Sequence, residues 1–382
     1  MVKSDNKYIH TFNACDSNTY GFRYATETDI DQLIEIFKET YNWNYLHPWV
    51  YEEETFEIYL KKSNNFWMLI ESIQEKEISA VGLMEIKDKI SLYASKVAAM
   101  KKYRGLGLLR VLGTQAVIHF LQRNDCDGIV RLDTDVRANI LNSQIFAEKI
   151  RCIPYGFIPN FNNYADKRNF DYSKGVPFTS GRIEAVMMYV NPLSILWKKR
   201  SKEVYVYENH EIKYFYNYLK SLNRKMKRDI INFTNRNNIQ KKPNDYNIRE
   251  DPYQGIVFIS GYLRESFLEK ILNHYQNWNV IVWNIPTTSW GLNSQLLAIE
   301  SGFIVSGYNP GSYTKELELK DTILFCKFPR GIDYSQFDTM KLAEKNKPIV
   351  HRVIKTIKKE SIQAMKWKKE KSKYKTNQIE EV

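Results

Sequence analysis

The stretch Tyr103-Arg104-Gly105-Leu106-Gly107-Leu108-Leu109 lies between a run that reads as a strand, Ser91 to Met100, and a strongly helical run. A strand that turns through glycines into a helix leaves backbone N–H groups free at the positive end of the helix dipole, which is a seat for a pyrophosphate. The two glycines let backbone approach phosphate oxygens closely, and Arg104 can add a charge-assisted contact. Taken alone, the Gly-x-Gly turn fits a tight connection without a ligand equally well. Dinucleotide binding fits poorly, because the longer Rossmann glycine pattern is absent and no βαβαβ series follows. The Gly-Lys-Ser/Thr ending of a P-loop is absent too. An anionic cofactor is the first expectation, and the surrounding elements weigh on it.

Tyr20-Gly21-Phe22-Arg23-Tyr24 alternates like a strand, and Thr28 is expected to cap a helix with Ile30, Leu33, Ile34 and Phe37 on its apolar face. A second helix is expected from about Tyr51 to Lys61. Phe66 to Glu71 and Ile78 to Ile86 read as strands joined by a polar turn. Beyond the glycine turn, a helix buries Leu109, Val111, Leu112, Ala116, Val117 and Phe120. A strand at Ile129 to Val136, a short helix at Leu141 to Lys149, a polar aromatic stretch at Asn160 to Gly181 and a last strand at Ile183 to Val190 follow. The order is βααβββαβαβ.

That order, with Arg104-Gly105-Leu106-Gly107 opening its third helix and Asn142-Ser143-Gln144-Ile145-Phe146 further on, resembles the GNAT superfamily of acyl-CoA N-acyltransferases. The resemblance covers Tyr20 to about Asn191. It implies an α/β fold, with a mixed, mostly antiparallel sheet splayed in the middle and flanked by helices, and an acyl-CoA donor whose pantetheine arm pairs with the strand before the turn. The residues it assigns to the cofactor are Ala98, Ala99 and Met100 on that strand, Arg104, Gly105, Leu106, Gly107, Leu108 and Leu109 in the turn, and Asn139, Asn142 and Ser143 near the arm. A backbone N–H around Ala98 to Met100 would meet the oxyanion. The family's turn commonly ends in Gly or Ala where Leu109 stands. Many members place a proton-donating tyrosine where this chain has Phe146, so Tyr155, Tyr164 or Ser143 would substitute, or the thiolate would leave unaided. Helix capping is a second explanation of Asn142 and Ser143.

The run from Asn142-Ser143-Gln144 through Gly156 to Pro159 has a second copy from Asn293-Ser294-Gln295 through Gly307 to Pro310, without a gap. Fixed spacing of this kind points to a duplicated fold, a tandem of GNAT-like domains. In the second copy the turn reads Ser260-Gly261-Tyr262-Leu263-Arg264-Glu265-Ser266, with one glycine and an acidic side chain where phosphate would sit. The second copy is expected to have lost its cofactor. The domains expected are an extension at 1–19, a donor-binding catalytic domain at 20–200, a degenerate copy at 201–347 and a basic tail at 348–382.

The 382 residues, 43% hydrophobic and 26% charged, suffice for two domains with a sizeable core. No apolar run approaches the roughly 20 residues of a membrane span, and the start lacks a signal peptide's apolar stretch, so the chain is expected to be cytoplasmic. Cys15, Cys126, Cys152 and Cys326 form no C-x-x-C pair, so neither a zinc site nor a disulfide framework is expected. A formal charge of +12 favours acidic partners: a phosphorylated cofactor, an acidic acyl carrier protein or nucleic acid. Glu208 to Arg236 reads as a basic helix with Ile212, Phe215, Leu219, Leu222 and Met226 on one face, more readily core-facing than nucleic-acid-binding. Asn237 to Asp251 reads as a loop, and the lysine-rich end from about His351 as a solvated, partly helical tail.

Acyl transfer to an amine needs a base and a stabilised thiolate. The candidate bases are Glu85 at the end of the third strand and Asp133 and Asp135 two apart on the strand after the cofactor helix. Two apart in a strand, both would point to the same side and could also hold a cationic amine. A solvated strand carboxylate is the other reading of Glu85. Trp43, Tyr45, His47, Pro48 and Trp49 read as an acceptor wall or as core packing, and Asn160 to Gly181 as a second wall. The expectation is N-acyl transfer from acyl-CoA, acetyl by default and longer acyl as an option, to a primary amine of a small molecule or peptide. A non-catalytic nucleic-acid- or partner-binding protein on the same scaffold is the alternative.

Overall fold

The computed structural model describes residues 7–123, 126–172, 181–235, 244–315 and 318–360. The first half runs β1 (His10–Asn13), β2 (Thr19–Tyr24), α1 (Ile30–Tyr41), α2 (Glu53–Leu60), β3 (Asn65–Ser72), β4 (Glu77–Ile86), β5 (Ser91–Ala99), α3 (Leu108–Leu121), β6 (Arg131–Arg137), α4 (Leu141–Lys149), β7 (Ile153–Tyr164) and β8 (Arg182–Pro192). After α5 (Leu196–Lys199), β9 (Glu203–Tyr207), α6 (His210–Leu222) and β10 (Ile230–Thr234) come β11 (Asp245–Asp251), β12 (Ile256–Tyr262), α7 (Glu265–His274), β13 (Val280–Pro286), α8 (Gly291–Glu300), β14 (Ile304–Lys315) and β15 (Glu318–Lys327). Residues 347–360 form a final helix, α9.

Thirteen strands make one sheet in the order β1-β2-β3-β4-β5-β6-β8-β7-β14-β15-β13-β12-β11, and β9 pairs with β10 separately. The sheet is mixed and mostly antiparallel, with β5/β6 and β12/β13 as its parallel pairs. The series β4-β5-β6-β8-β7 therefore has the same pairing senses as β11-β12-β13-β15-β14. The two series meet where Gly156 on β7 pairs with Gly307 on β14, the glycines that also match in sequence. Equivalent residues that face one another are what a two-fold relation requires. A Cβ on Gly307 would lie 2.3 Å from the Tyr155 carbonyl oxygen, so only glycine lets the backbones approach.

Each half also lends the other a segment. Gln144 on α4 is fully buried; its Nε2 donates to the carbonyls of Arg137, Ala138 and Lys341, and its Oε1 accepts from Ala343 N and Asn346 Nδ2. Gln295 on α8 is its counterpart and grips β9, accepting from Tyr207 N at 2.7 Å and donating to Tyr205 O at 3.2 Å. The chain leaving β8 thus docks on α8, and the chain leaving β15 docks on α4. Bridging a foreign backbone segment gives the repeated glutamine its physical reason, because buried backbone groups need partners.

Several expectations change. Thr26, not Thr28, opens the first helix, with Asp29 reaching back to it through a 3-10 turn. The sequence pattern does not predict β7, because Pro154, Gly156, Pro159 and Asn160 read as breakers; the strand absorbs them in two register shifts. The order is thus βααβββαβαββ, preceded by β1, which pairs with β2 inside the stretch expected as an extension. β10 and β11 replace an expected helix end and an expected loop. β11, at the sheet's edge, is polar nearly throughout and shows no alternation to read. In α9, Ile349, Val350, Val353 and Ile357 are buried in the main core, whereas the sequence suggests a solvated tail; the lysines from 366 onward lie outside the described residues. α6 buries Ile212, Phe215 and Leu219, the core-facing reading. α3 turns Leu108, Leu112, Ala116 and Phe120 inward, a clean i,i+4 stripe, with Leu109, Val111 and Val117 only partly buried. No described helix is long and apolar enough to cross a membrane.

Candidate active site

The sheet opens between β5 and β6. They pair only from Ser91–Tyr93 to Arg131–Asp133, and Thr134 Oγ1 closes the apex with a 3.0 Å bond to Ala94 O. Beyond it β5 stays with β4 as far as Ala99, and β6 stays with β8 as far as Arg137, so a wedge opens between them. Against β4, the register of β5 slips between Val81/Ala98 and Leu83/Ser95. The inserted residue Lys96 has φ +53°, so the strand bends there through a bulge. Met100 N donates to Ser79 O at 3.1 Å. Backbone groups alternate sides along a strand, which turns Ala98 N–H toward β4 and Ala99 N–H toward the wedge. Of the three residues expected as backbone donors, Ala99 faces the opening.

Past Ala99 the glycine turn leads into α3. Gly105 and Gly107 have φ +87° and +77°, and a Cβ on either would meet nothing within 4 Å. The backbone N–H groups of Gly105, Leu106, Gly107, Leu108 and Leu109 find no acceptor among the described residues. Left-handed glycines that aim successive N–H groups into open space at a helix start form an anion seat. Leu109, where the GNAT pattern has a smaller residue, lies partly buried against the α3 core. Arg104 braces the turn: its Nε donates to Ala99 O at 3.1 Å and its Nη2 reaches Thr40 Oγ1 at 3.5 Å.

The equivalent place in the second half is filled. β12 and β13 pair over five residues, Ile256–Ser260 with Val280–Asn284, and Trp283 Nε1 donates to Gly261 O at 3.0 Å. A Cβ on Gly261 would lie 2.2 Å from Asp245 O. Leu263 N donates to Ser294 Oγ at 3.1 Å and Arg264 N to Asn244 Oδ1 at 2.7 Å. The chain's own side chains have taken N–H groups of the kind that the first half leaves bare.

The sequence-predicted carboxylates separate here. Asp133 is gripped by Arg131, through Nε at 2.9 Å and a shorter Nη2 contact, and Arg131 also donates to Pro310 O and Asn309 Oδ1 at 2.7 Å each. Asp133 therefore balances a buried guanidinium at the junction of the halves. Asp135, on the same side of β6, has no side-chain partner among the described residues beyond its own backbone N–H. Burial pushes its carboxyl up to about 6, against the pull of Lys87 and Arg249. Glu85, paired across the sheet with Tyr93, is half-buried near Lys96. Tyr155 is buried beside Asp133 and Arg131, and burial drives its phenol upward, so it stays protonated at neutral pH. Asn139 is held by Glu184 at 2.8 Å, beside the Arg137–Glu184 ion pair. Asn142 and Ser143 cap nothing, because α4 starts after Ile140 with no side-chain cap. The Phe146 ring packs on α3 at Gly113, where a Cβ would come within 2.7 Å of it, so the tyrosine's usual position is given to packing.

No family model matches the chain, and no curated protein does. Solved structures similar to it include the ribosomal-protein-S5-alanine acetyltransferase of Vibrio fischeri, 10% identical, covering 48% of this chain and 97% of that one with a TM-score of 0.38. The ribosomal-protein-S18-alanine N-acetyltransferase of Escherichia coli is 18% identical over 46% of this chain and 94% of its own, with a TM-score of 0.35. The spermidine N-acetyltransferase of Vibrio cholerae, solved with CoA and spermine, is 14% identical over 46% and 96%, with a TM-score of 0.36.

The residues that sequence reasoning missed come mostly from the second half. Asp251, at the end of β11, pairs with His47 Nε2 at 3.2 Å, and Tyr253 packs edge-on to the His47 ring. Gln254 Nε2 donates to Leu46 O and its Oε1 accepts from Asn163 N at 2.8 Å. Buried Lys167 ties the same two segments, the loop at Leu46 through its carbonyl at 3.2 Å and the end of β7 through Asn163 O. The expected acceptor wall is thus a lacing of 45–49, 163–172 and 249–254. Trp49 belongs to the core, stacked on Tyr59 with centroids 3.9 Å apart, while Trp43 lies at the surface beneath Arg168. Part of the second expected wall, 173–180, lies outside the described residues. No group of three His, Cys, Asp or Glu fit to hold a metal occurs among the described residues.

Proposed function

We propose that the chain is a GNAT-type N-acyltransferase that moves an acyl group from acyl-CoA to a primary amine. The observation that carries this reading is the row of five N–H groups at Gly105–Leu109 without an acceptor among the described residues, next to the free edge of β5. Those donors suit a diphosphate, and an unpaired strand edge suits an arm that contains amides. Both groups belong to coenzyme A. Residues 20–200 would hold the donor, and the filled second copy, 201–347, would lend Asp251 and Tyr253 to the acceptor side. Acetyl-CoA is the donor of first choice, and longer acyl chains remain within the reading.

Asp135 is the residue we assign as base. It stands on β6 past the last β5/β6 pair, has no side-chain partner among the described residues and is half-protonated near pH 6, so it is mostly ionised at neutral pH and able to take a proton from an incoming ammonium. Tyr155 and Glu85 are assigned supporting roles, as proton donor and as charge near the acceptor. The oxyanion would meet Ala99 N–H. The amine attacks the thioester carbon, the C–S bond breaks, and sulfur leaves with a proton from Tyr155 or solvent. Release of free thiol from acetyl-CoA, followed with a panel of polyamines, amino acids and peptides, tests this. Amine-dependent thiol release with at least one member is expected. A protein that binds no CoA and loses affinity for nucleic acid steeply with salt would replace the enzyme reading with the binding one.

A further inference from the structure

We propose that Lys96 is itself an acyl acceptor, so that the protein acylates its own cleft when no external amine occupies it. The inference rests on the acyl-donor reading of the glycine turn. Lys96 is the bulge residue of β5, with φ +53°. Its ammonium lies 5.5 Å from the centroid of the Trp49 ring, and its hydrogen-bond partner is Ser95 Oγ at a long 3.5 Å. No carboxylate among the described residues comes within ion-pair distance of it. The lysines whose charges act on it, Lys62 and Lys87, have no carboxylate partner among the described residues either, but each ammonium lies over a tyrosine ring, Tyr59 at 3.7 Å and Tyr93 at 4.3 Å.

An ammonium drawn out of bulk water with no ion-pair partner sheds its proton more easily. Burial lowers Lys96 to about 8, with Glu85 and Asp251 opposing the fall and the charges of Lys62 and Lys87 adding to it. A useful share of neutral amine is therefore present near pH 8. Three strand steps from Ala99 back to Lys96 cover about 10 Å. A donor with its diphosphate on the turn and its arm along the β5 edge carries its thioester along this stretch.

The chemistry balances without a co-reactant. The Nζ lone pair attacks the thioester carbonyl, a C–N bond forms, and the C–S bond breaks with its electron pair passing to sulfur. The proton lost from nitrogen neutralises the thiolate, CoA leaves as the thiol, and Lys96 keeps a neutral amide. The product has lost a cation and gained an acyl group beside the Trp49 ring.

Full-length protein is incubated with acetyl-CoA without an amine, then analysed by intact mass and peptide mapping, while CoA affinity is measured separately by calorimetry. One acetyl group on Lys96 is expected, formed at least tenfold faster than on any surface lysine and absent from Lys96→Arg. If CoA binds and Lys96 stays unmodified, or acetyl groups scatter equally in both proteins, the proposal is overturned and the donor site stands. If CoA does not bind, the donor reading falls and this proposal with it. Limiting acetic anhydride, which needs no donor site, probes the amine alone: Lys96 is expected among the first lysines labelled, and its appearance among the last contradicts the proposal.

Discussion

Gly107→Asp is expected to weaken CoA binding by about 100-fold or more, equivalent to about 2.7 kcal/mol, while the protein stays folded. Gly107 has φ +77° and forms the N-cap of α3, and a Cβ there would have nothing within 4 Å of it. Aspartate tolerates the left-handed region better than most residues, so the fold should lose no more than about 1 kcal/mol. The new carboxylate, however, would stand in the space that the five N–H groups face and would repel a diphosphate. Gly107→Asn has nearly the same shape without the charge, and its loss should be clearly smaller. Calorimetric titration of the three proteins, with thermal melts as the folding control, reads both effects. Equal affinity in all three would remove the turn from the donor site. At Gly261 the outcome differs: a side chain would meet Asp245 O at 2.2 Å, so substitutions there should cost stability and leave the donor's affinity alone.

Asp135→Asn is expected to lower turnover by about 10²–10⁴-fold, the range for loss of a general base, with little change in donor affinity. It should also stabilise the protein at neutral pH. Burial raises the folded Asp135 from its ordinary 3.8 to about 6, so the folded state holds this proton more tightly than the unfolded chain does. The stability gained from that proton is complete below pH 3.8 and is lost as pH rises through about 6. Asparagine carries no charge to bury. The variant should therefore melt higher than the wild type above pH 6, and the difference should vanish near pH 4. Wild-type turnover should fall as pH drops through about 6, because the base becomes protonated. Asp133→Asn should do the opposite to stability, since it strips the carboxylate from the buried Arg131 at the junction of the halves. A variant at 135 that keeps full turnover, or one that melts lower at neutral pH, would take the base away from this residue.

How much of this could be read in advance depended on local chemistry. The glycine turn and the helix after it announce themselves, because glycine turns and apolar helical runs follow from short-range rules, but the face of α3 that turns inward does not: Leu108 lies on it, and Leu109, Val111 and Val117 only flank it. The repeat is visible in Asn-Ser-Gln and the matching glycines, yet its physical reason is not. Gln144 and Gln295 bind backbone nearly 200 and 90 residues away in sequence, and Gly156 and Gly307 are fixed by each other. β7 is hidden by prolines and a glycine that its bulges absorb, and β11 by polar residues on a sheet edge. The two aspartates of β6 look alike in sequence. Only Arg131, turned toward Asp133 by its contact with Asn309 and Pro310, separates a charge-balancing residue from a free one. Asp251 and Tyr253 carry no signal at all, because reaching His47 depends on how the whole sheet brings its halves together.

A crystal structure of the wild-type protein soaked in coenzyme A shows whether the glycine turn is the donor's seat. The diphosphate is expected on the backbone N–H groups of Gly105 to Leu109, the pantetheine arm along the edge of β5 between Ala99 and the Lys96 bulge, and no density at Gly261. A diphosphate bound elsewhere, or a turn left empty at saturating coenzyme A, would contradict it.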